Sequence, residues 1–196
     1  MKKLLFLVLI VLLFCLAVGC AQQEAEPADD VDYDFPENAE AMEEVLAIVT
    51  DLGDRLNEKD GYYGDLHDIV VANGNRQSPE HDELYELFHE WMLEVGATYL
   101  YSFADGGGDY NLIIVDGAFP EDMDPYGTEY EKEPWTIEAF ETGKPTVSKT
   151  TWEDDYGYGL QKSAYAPVFN SDGEVSFLLG IDYPVPELEE FEDIME

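Results

Sequence analysis

SAYAPVFNSDGEVSFLLGIDYP, residues 163 to 184, decides the fold. Two apolar, strand-forming runs flank Asn170-Ser171-Asp172-Gly173, a cluster of turn formers. The spacing predicts strands around Leu160 to Phe169 and Glu174 to Asp182, paired as an antiparallel hairpin. Asp182 ends the run Phe177 to Ile181, which should be buried. A carboxylate in such a place needs partners, or it takes up a proton. It is either a strand-end Asp bonded to nearby backbone or part of a pocket.

Upstream, the pattern alternates as strands do. Tyr99, Tyr101 and Phe103 share one face of the run from Ala97 to Phe103, which follows Gly96. Asp105-Gly106-Gly107-Gly108-Asp109 is a turn, and Tyr110 to Val115 is a second strand closed by Asp116-Gly117. Residues 118 to 133 read as a loop. Pro134 to Thr142 is a short helix stopped by Gly143, and Lys144 to Trp152 is a third strand.

The first third is helical. Asp34-Phe35-Pro36-Glu37 resembles a capping box. Met42, Val45, Leu46, Val49, Leu52 and Leu56 then fall on one face. A shorter segment carries Leu66, Ile69 and Val70. Ser78 suits an N-cap and Pro79 the first helical position, with Leu84, Leu87, Phe88, Trp91 and Val95 as the apolar stripe. The expected fold is α+β: an antiparallel sheet of about five strands with N-terminal helices packed on one face.

The N-terminus concerns location. Lys2 and Lys3 precede the apolar run Leu4 to Ala17, which ends in Leu16-Ala17-Val18-Gly19-Cys20. This resembles the lipobox of bacterial lipoproteins, which implies a signal peptide over 1–19 and lipidation of Cys20. Each buried CH₂ of such an anchor adds about 0.8 kcal/mol, so several acyl chains hold stably. Cys15 leaves with the signal, so no disulfide and no cysteine metal site is expected. Residues 20–35 read as an acidic tether, 36–186 as one domain and 187–196 as an acidic tail in which Leu188, Phe191 and Ile194 have helical spacing. The expected address is the extracytoplasmic side of a bacterial cell membrane, held by lipid.

Charge excludes whole classes of partner. The chain has 45 Asp plus Glu against 9 Lys plus Arg, a formal net of -36. Nucleic acid is excluded, because binding needs cations for the phosphates. The acids read as solvation, or more sharply as attraction for cations and amines.

Several phrases in order carry a resemblance. Gly96 to Tyr101, Tyr110 to Asp116, Glu131-Lys-Glu-Pro-Trp-Thr136, Thr142 to Ser148, Asp155-Tyr156-Gly157, Ala164 to Val168 and Gly180-Ile181-Asp182 together resemble Cache domains. These are PAS-like extracytoplasmic sensor domains of bacterial receptors, and the likeness spans about residues 39 to 184. It implies a pocket for a small metabolite between the sheet and its loops. It also implies that Asp182 meets a ligand amine. Two departures stand out. No apolar span or output domain is expected after the signal, so signalling needs a separate transmembrane partner. Many amino-acid-binding members also place an Arg two residues before the Trp, where this chain has Glu133. Its arginines, Arg55 and Arg76, lie in the helical half, which leaves Lys132, Lys144, Lys149 and Lys162 as point charges in the sheet half.

The candidate ligand-binding residues are Tyr99, Tyr101, Trp135, Asp155, Tyr156, Tyr165 and Asp182. Aromatic faces there suit a cationic or neutral ligand through cation–π contact. Asp116 is a weaker candidate. Asp122 to Glu133 echoes an EF-hand loop, but Tyr126 stands where an oxygen ligand belongs and Phe119-Pro120 is no entering helix. No cofactor or metal is expected. Enzyme signatures are lacking. His67, His81 and His89 lie in the helical half, His81 and His89 reading as exposed helix polars; His89-Glu90 lacks a second ligating His, and no nucleophile elbow occurs. The reading is a lipid-anchored receptor for a small amine or other cationic or neutral metabolite. The alternative is a surface interaction or structural module with the same fold and no small ligand, its tyrosines filling the cleft.

Overall fold

The computed structural model describes residues 36–154 and 156–191. Cys20, the signal and tether, Asp155 and residues 192–196 lie outside the described residues. Helices α1 (Pro36–Asn57), α2 (Tyr62–Asn73) and α3 (Pro79–Val95) come first. Strands β1 (Tyr99–Asp105), β2 (Tyr110–Asp116) and β3 (Glu129–Glu131) follow, then helix α4 (Pro134–Thr142). Short β4 (Thr146–Val147) and β5 (Trp152–Glu153) precede the long hairpin β6 (Leu160–Phe169) and β7 (Val175–Pro184). A 3₁₀ turn spans Pro186–Phe191.

The sheet is antiparallel, with order β3-β2-β1-β7-β6-β4 and β5 also on β6. The last strand in sequence therefore sits at the centre, between β1 and β6. That is an α+β, PAS-like arrangement. The quoted hairpin forms as its spacing predicts. Ala164 pairs with Ile181 and Ser163 with Asp182, and Asn170 Oδ1 accepts the Asp172 and Glu174 amides in the turn.

Alternation sorts the strands onto two faces. Leu100, Ala164, Ala166, Val168, Phe177, Leu179 and Ile181 face the helices. There they meet Ala41, Val45, Val49, Leu52 and Leu56 of α1, and Leu84 and Phe88 of α3. Each fully buried Phe or Leu in this layer contributes about 1.5–3 kcal/mol. Small Ala164 and Ala166 let α1 lie close on β6. Helix α3 starts and stops on local chemistry. Ser78 Oγ accepts the His81 amide at 3.2 Å, and Gly96, with φ of 76°, donates to the Met92 carbonyl.

The other face carries Tyr101, Phe103, Ile113, Tyr165 and Leu178, partly covered by Ala139, Trp135 and Phe140 of α4. Three features differ from expectation. The third strand is broken: residues 148–151 leave the ladder between β4 and β5. The loop 118–133 contains β3, which pairs Tyr110 with Glu131. His81 is buried, at 5% exposure, because α3 turns that side of its first turn inward. Among the described residues, no helix is long and apolar enough to cross a membrane.

Candidate functional site

The second sheet face is not filled. A cavity of about 750 Å³ lies between it and the loops around 116–136 and 148–156. Its floor comes from three adjacent strands. Asp182 on central β7 pairs across to Tyr99 on β1 and to Ser163 on β6. In the next row, Gly180 lies between Tyr101 and Tyr165. That glycine is required by space: a Cβ there would overlap the Tyr101 ring. Without side-chain bulk at 180, the two tyrosines lean over the sheet, and their hydroxyls approach to 3.5 Å.

Asp182 is only 7% exposed. Its Oδ1 accepts Ser163 Oγ at 2.6 Å and lies 3.3 Å from the Tyr101 hydroxyl. Burial pushes its carboxyl up to about 7, with Glu133 and Asp116 adding to the rise and the Ser163 and Tyr101 hydrogen bonds opposing it. Burial and the neighbouring Asp182 charge likewise raise the Tyr165 phenol. Asp116 is also buried and raised, though its oxygens accept the Ala118 and Asp124 amides.

Six of the seven expected residues line this one cavity: Tyr99, Tyr101, Trp135, Tyr156, Tyr165 and Asp182. Asp155, the seventh, lies outside the described residues. Its neighbour Asp154 does line the cavity, though sequence reasoning passed over it. Asp154 Oδ1 accepts the Tyr99 hydroxyl at 2.9 Å, and Oδ2 accepts the Tyr156 amide at 2.7 Å and the Tyr158 amide at 3.2 Å. An Asp heading a Tyr-Gly-Tyr-Gly loop could have signalled this capping role. Asp122, Asp124, Glu131 and Trp152 also line the cavity and were missed, because nothing local marks a loop acid as inward-facing.

The lining is strongly acidic. Among the described residues, Asp116, Asp122, Asp124, Glu131, Glu133, Asp154 and Asp182 face it, against one cation, Lys132. That ammonium is already paired with Asp105 at 2.6 Å. Lys162 is absent from the lining for a structural reason. It is fully buried on the helix-facing side of β6, with Nζ 3.2–3.4 Å from the carbonyls of Ser148, Lys149 and Thr150. Desolvation lowers its pKa to about 8. Those carbonyls meet the ammonium where the ladder is interrupted, the Lys149 carbonyl also accepting Asn38 Nδ2 at 3.3 Å, while the Ser148 amide still donates to Ser163 of β6 at 2.8 Å. The segment so held presents Ser148, Thr150 and Trp152 to the cavity.

Glu133 completes the mouth at the N-cap of α4, where it accepts the Trp135 indole N–H at 2.5 Å. Among the described residues no cluster of three or more His, Cys, Asp or Glu has metal-holding geometry. The arrangement can hold positive charge against aromatic faces, and it repels a free carboxylate.

No protein-family model matches the chain, and no curated protein matches it. Solved structures similar to it include the ligand-binding domain of Campylobacter jejuni chemoreceptor Tlp3 in complex with 4-methylisoleucine, at 10% identity and TM-score 0.39, over 83% of this chain and 66% of that one. Another structure of the Tlp3 sensory domain matches at 13% identity and TM-score 0.40, over 77% and 62%. The A. aeolicus nlh2 GAF domain, in an inactive state, matches at 15% and 0.37, over 71% and 90%. The chain thus spans less than two thirds of the chemoreceptor domains it resembles. At these identities and scores the likeness is confined to the arrangement of helices and strands.

Proposed function

We propose that the domain is an extracytoplasmic receptor for a small cationic metabolite, held to a bacterial membrane by lipid on Cys20 and passing its signal through a separate transmembrane protein. It binds its ligand without transforming it. The observation that carries this reading is the cavity: open, aromatic on several sides, and lined, among the described residues, by seven carboxylates with one lysine already paired. An ammonium group would settle against Asp182, whose second oxygen, Oδ2, receives no hydrogen bond from any described residue. Tyr101 and Tyr165 flank that point, and cation–π contact there is worth about 0.5–2 kcal/mol per ring. The open volume favours this reading over the interaction module, for which packed tyrosines would fill the cleft.

The test is thermal unfolding of the full-length chain in nonionic detergent against primary amines, amino acids and dicarboxylates. A ligand at 100 times its Kd stabilises by about 2.7 kcal/mol. Stabilisation by amines, lost in Asp182→Ala and absent with dicarboxylates, supports the receptor. Stabilisation by dicarboxylates alone, or by nothing but salt, sinks it.

A further inference from the structure

We infer that the cavity is built for two cationic groups at once, so that its ligand is a linear di- or polyammonium compound rather than a monoamine or an amino acid. This rests on the reading above that the cavity takes a cation. The carboxylates stand at two poles: Asp182 on β7 at the floor, and Asp154 and Asp122 on separate loops at the mouth. The Tyr101 hydroxyl lies 3.3 Å from Asp182 at the floor. The Tyr99 hydroxyl donates to Asp154 at the mouth, at 2.9 Å. These two tyrosines are two residues apart on one strand face, so one hydroxyl serves each pole. Asp122 joins the outer pole through the Tyr158 hydroxyl, at 3.2 Å, and the Tyr158 ring stands edge-on to Tyr99 with centroids 6.2 Å apart.

Each pole is incomplete in its own way. Asp182 is nine-tenths buried, lines the cavity, and has an Oδ2 to which no described residue donates. Asp154 and Asp122 receive only neutral donors, so their charge stands unopposed by any described cation. A monoammonium ligand at the floor would leave the mouth uncompensated. An amino acid would bring its carboxylate against Glu133 or the outer pole. A short linear chain between two ammonium groups would lay its methylenes along the Tyr99 and Tyr101 rings. The aromatic faces between the poles suit such a chain, which is apolar in its middle and charged at both ends.

The experiment is calorimetric titration of the full-length chain in nonionic detergent with putrescine, with butylamine of the same carbon length, and with neutral butanediol. Putrescine should bind about tenfold tighter than butylamine, the effect of one further partly buried ion pair, and butanediol should not bind. Asp122→Asn and Asp154→Asn should each bring putrescine down to the level of butylamine while leaving butylamine unchanged. Asparagine at 154 retains an oxygen for the tyrosine amides. Asp122, on a different loop, is a second route if the first variant folds poorly. Equal affinity for both amines overturns the two-pole inference and leaves the cationic receptor standing. Tighter putrescine binding that persists in both variants also overturns it, since the diamine then binds the acidic surface. Failure of every amine overturns this inference and the receptor reading together.

Discussion

Replacing Asp182 by Asn should make the protein progressively more stable, relative to wild type, as pH rises from about 4 to about 7. The folded carboxyl titrates at about 7 and its ordinary value is 3.8. Between those values the folded chain holds a proton that the unfolded chain has released. Stability contributed by this group is therefore fully present below about 3.8, and it is lost as pH climbs to about 7. A gap of about three pH units corresponds to about 4 kcal/mol, an upper figure for a side chain this buried. Beside burial, the groups that set the gap come from several surrounding elements: Ser163 on β6, Tyr101 on β1, Glu133 before α4 and Asp116 on β2. Asn keeps an oxygen for Ser163 and Tyr101 but carries no charge. The wild-type profile would hide the effect, because His67 works against it in the same range. Burial lowers His67 from 6.5 to about 3, so its contribution is lost as pH falls through that window. The difference between variant and wild type removes this background. Urea unfolding of both chains, in steps across the range, measures it directly. A difference that stays constant within about 1 kcal/mol from pH 4 to pH 8 would refute the claim that Asp182 is buried with its charge uncompensated.

Three further outcomes test the frame around the site. His67 stacks on Phe177 with centroids 4.4 Å apart and meets Ser102 at 3.1 Å, so His67→Leu should flatten the loss of stability between about pH 6.5 and 3; equal acid sensitivity in variant and wild type would contradict it. Lys162→Met withdraws the donor from three consecutive carbonyls and should cost about 2 kcal/mol, with faster amide exchange across 148–152; unchanged exchange there would show that Lys162 does not hold the segment. Gly180→Ala forces the Tyr101 ring away from Asp182, so it should lower stability by about 1–3 kcal/mol and weaken amine binding; a wild-type melting temperature would mean the ring has room to move.

Much of this fold is legible in the chain because its signals are local. Ser78-Pro79 and Gly96 bracket α3, and Pro134 and Gly143 bracket α4, since caps and stops depend on a few adjacent backbone groups. The alternation of Tyr99, Tyr101 and Phe103 places them together because side chains on a strand change face at every residue. The hold on the 148–150 carbonyls is not local. It depends on Lys162, more than ten residues on, turning its ammonium to the helix side of β6. Asp154 and Asp122 are legible as loop acids but not as neighbours, for they meet only through Tyr99 and Tyr158. His81 reads as an exposed polar residue on its own helix. Its burial is decided by what packs against the first turn of α3.

The sequence by itself determined the α+β class, the hairpin and its turn, the position of the helices, and the excess of acid. It also determined that the sheet half carries no arginine to clamp a carboxylate. Each of these follows from composition or from interactions a few residues long. Only the tertiary structure decided that β7 lies between β1 and β6, and with it that Asp182 sits at the floor of an open cavity between Tyr101 and Ser163. Only there do carboxylates from separate segments face one space, and only there does burial, with Glu133 and Asp116 nearby, raise Asp182 toward neutrality. The physical reason is range. Propensity and alternation act along the chain, whereas desolvation and the repulsion of like charges depend on which distant segments the sheet order brings within a few ångströms.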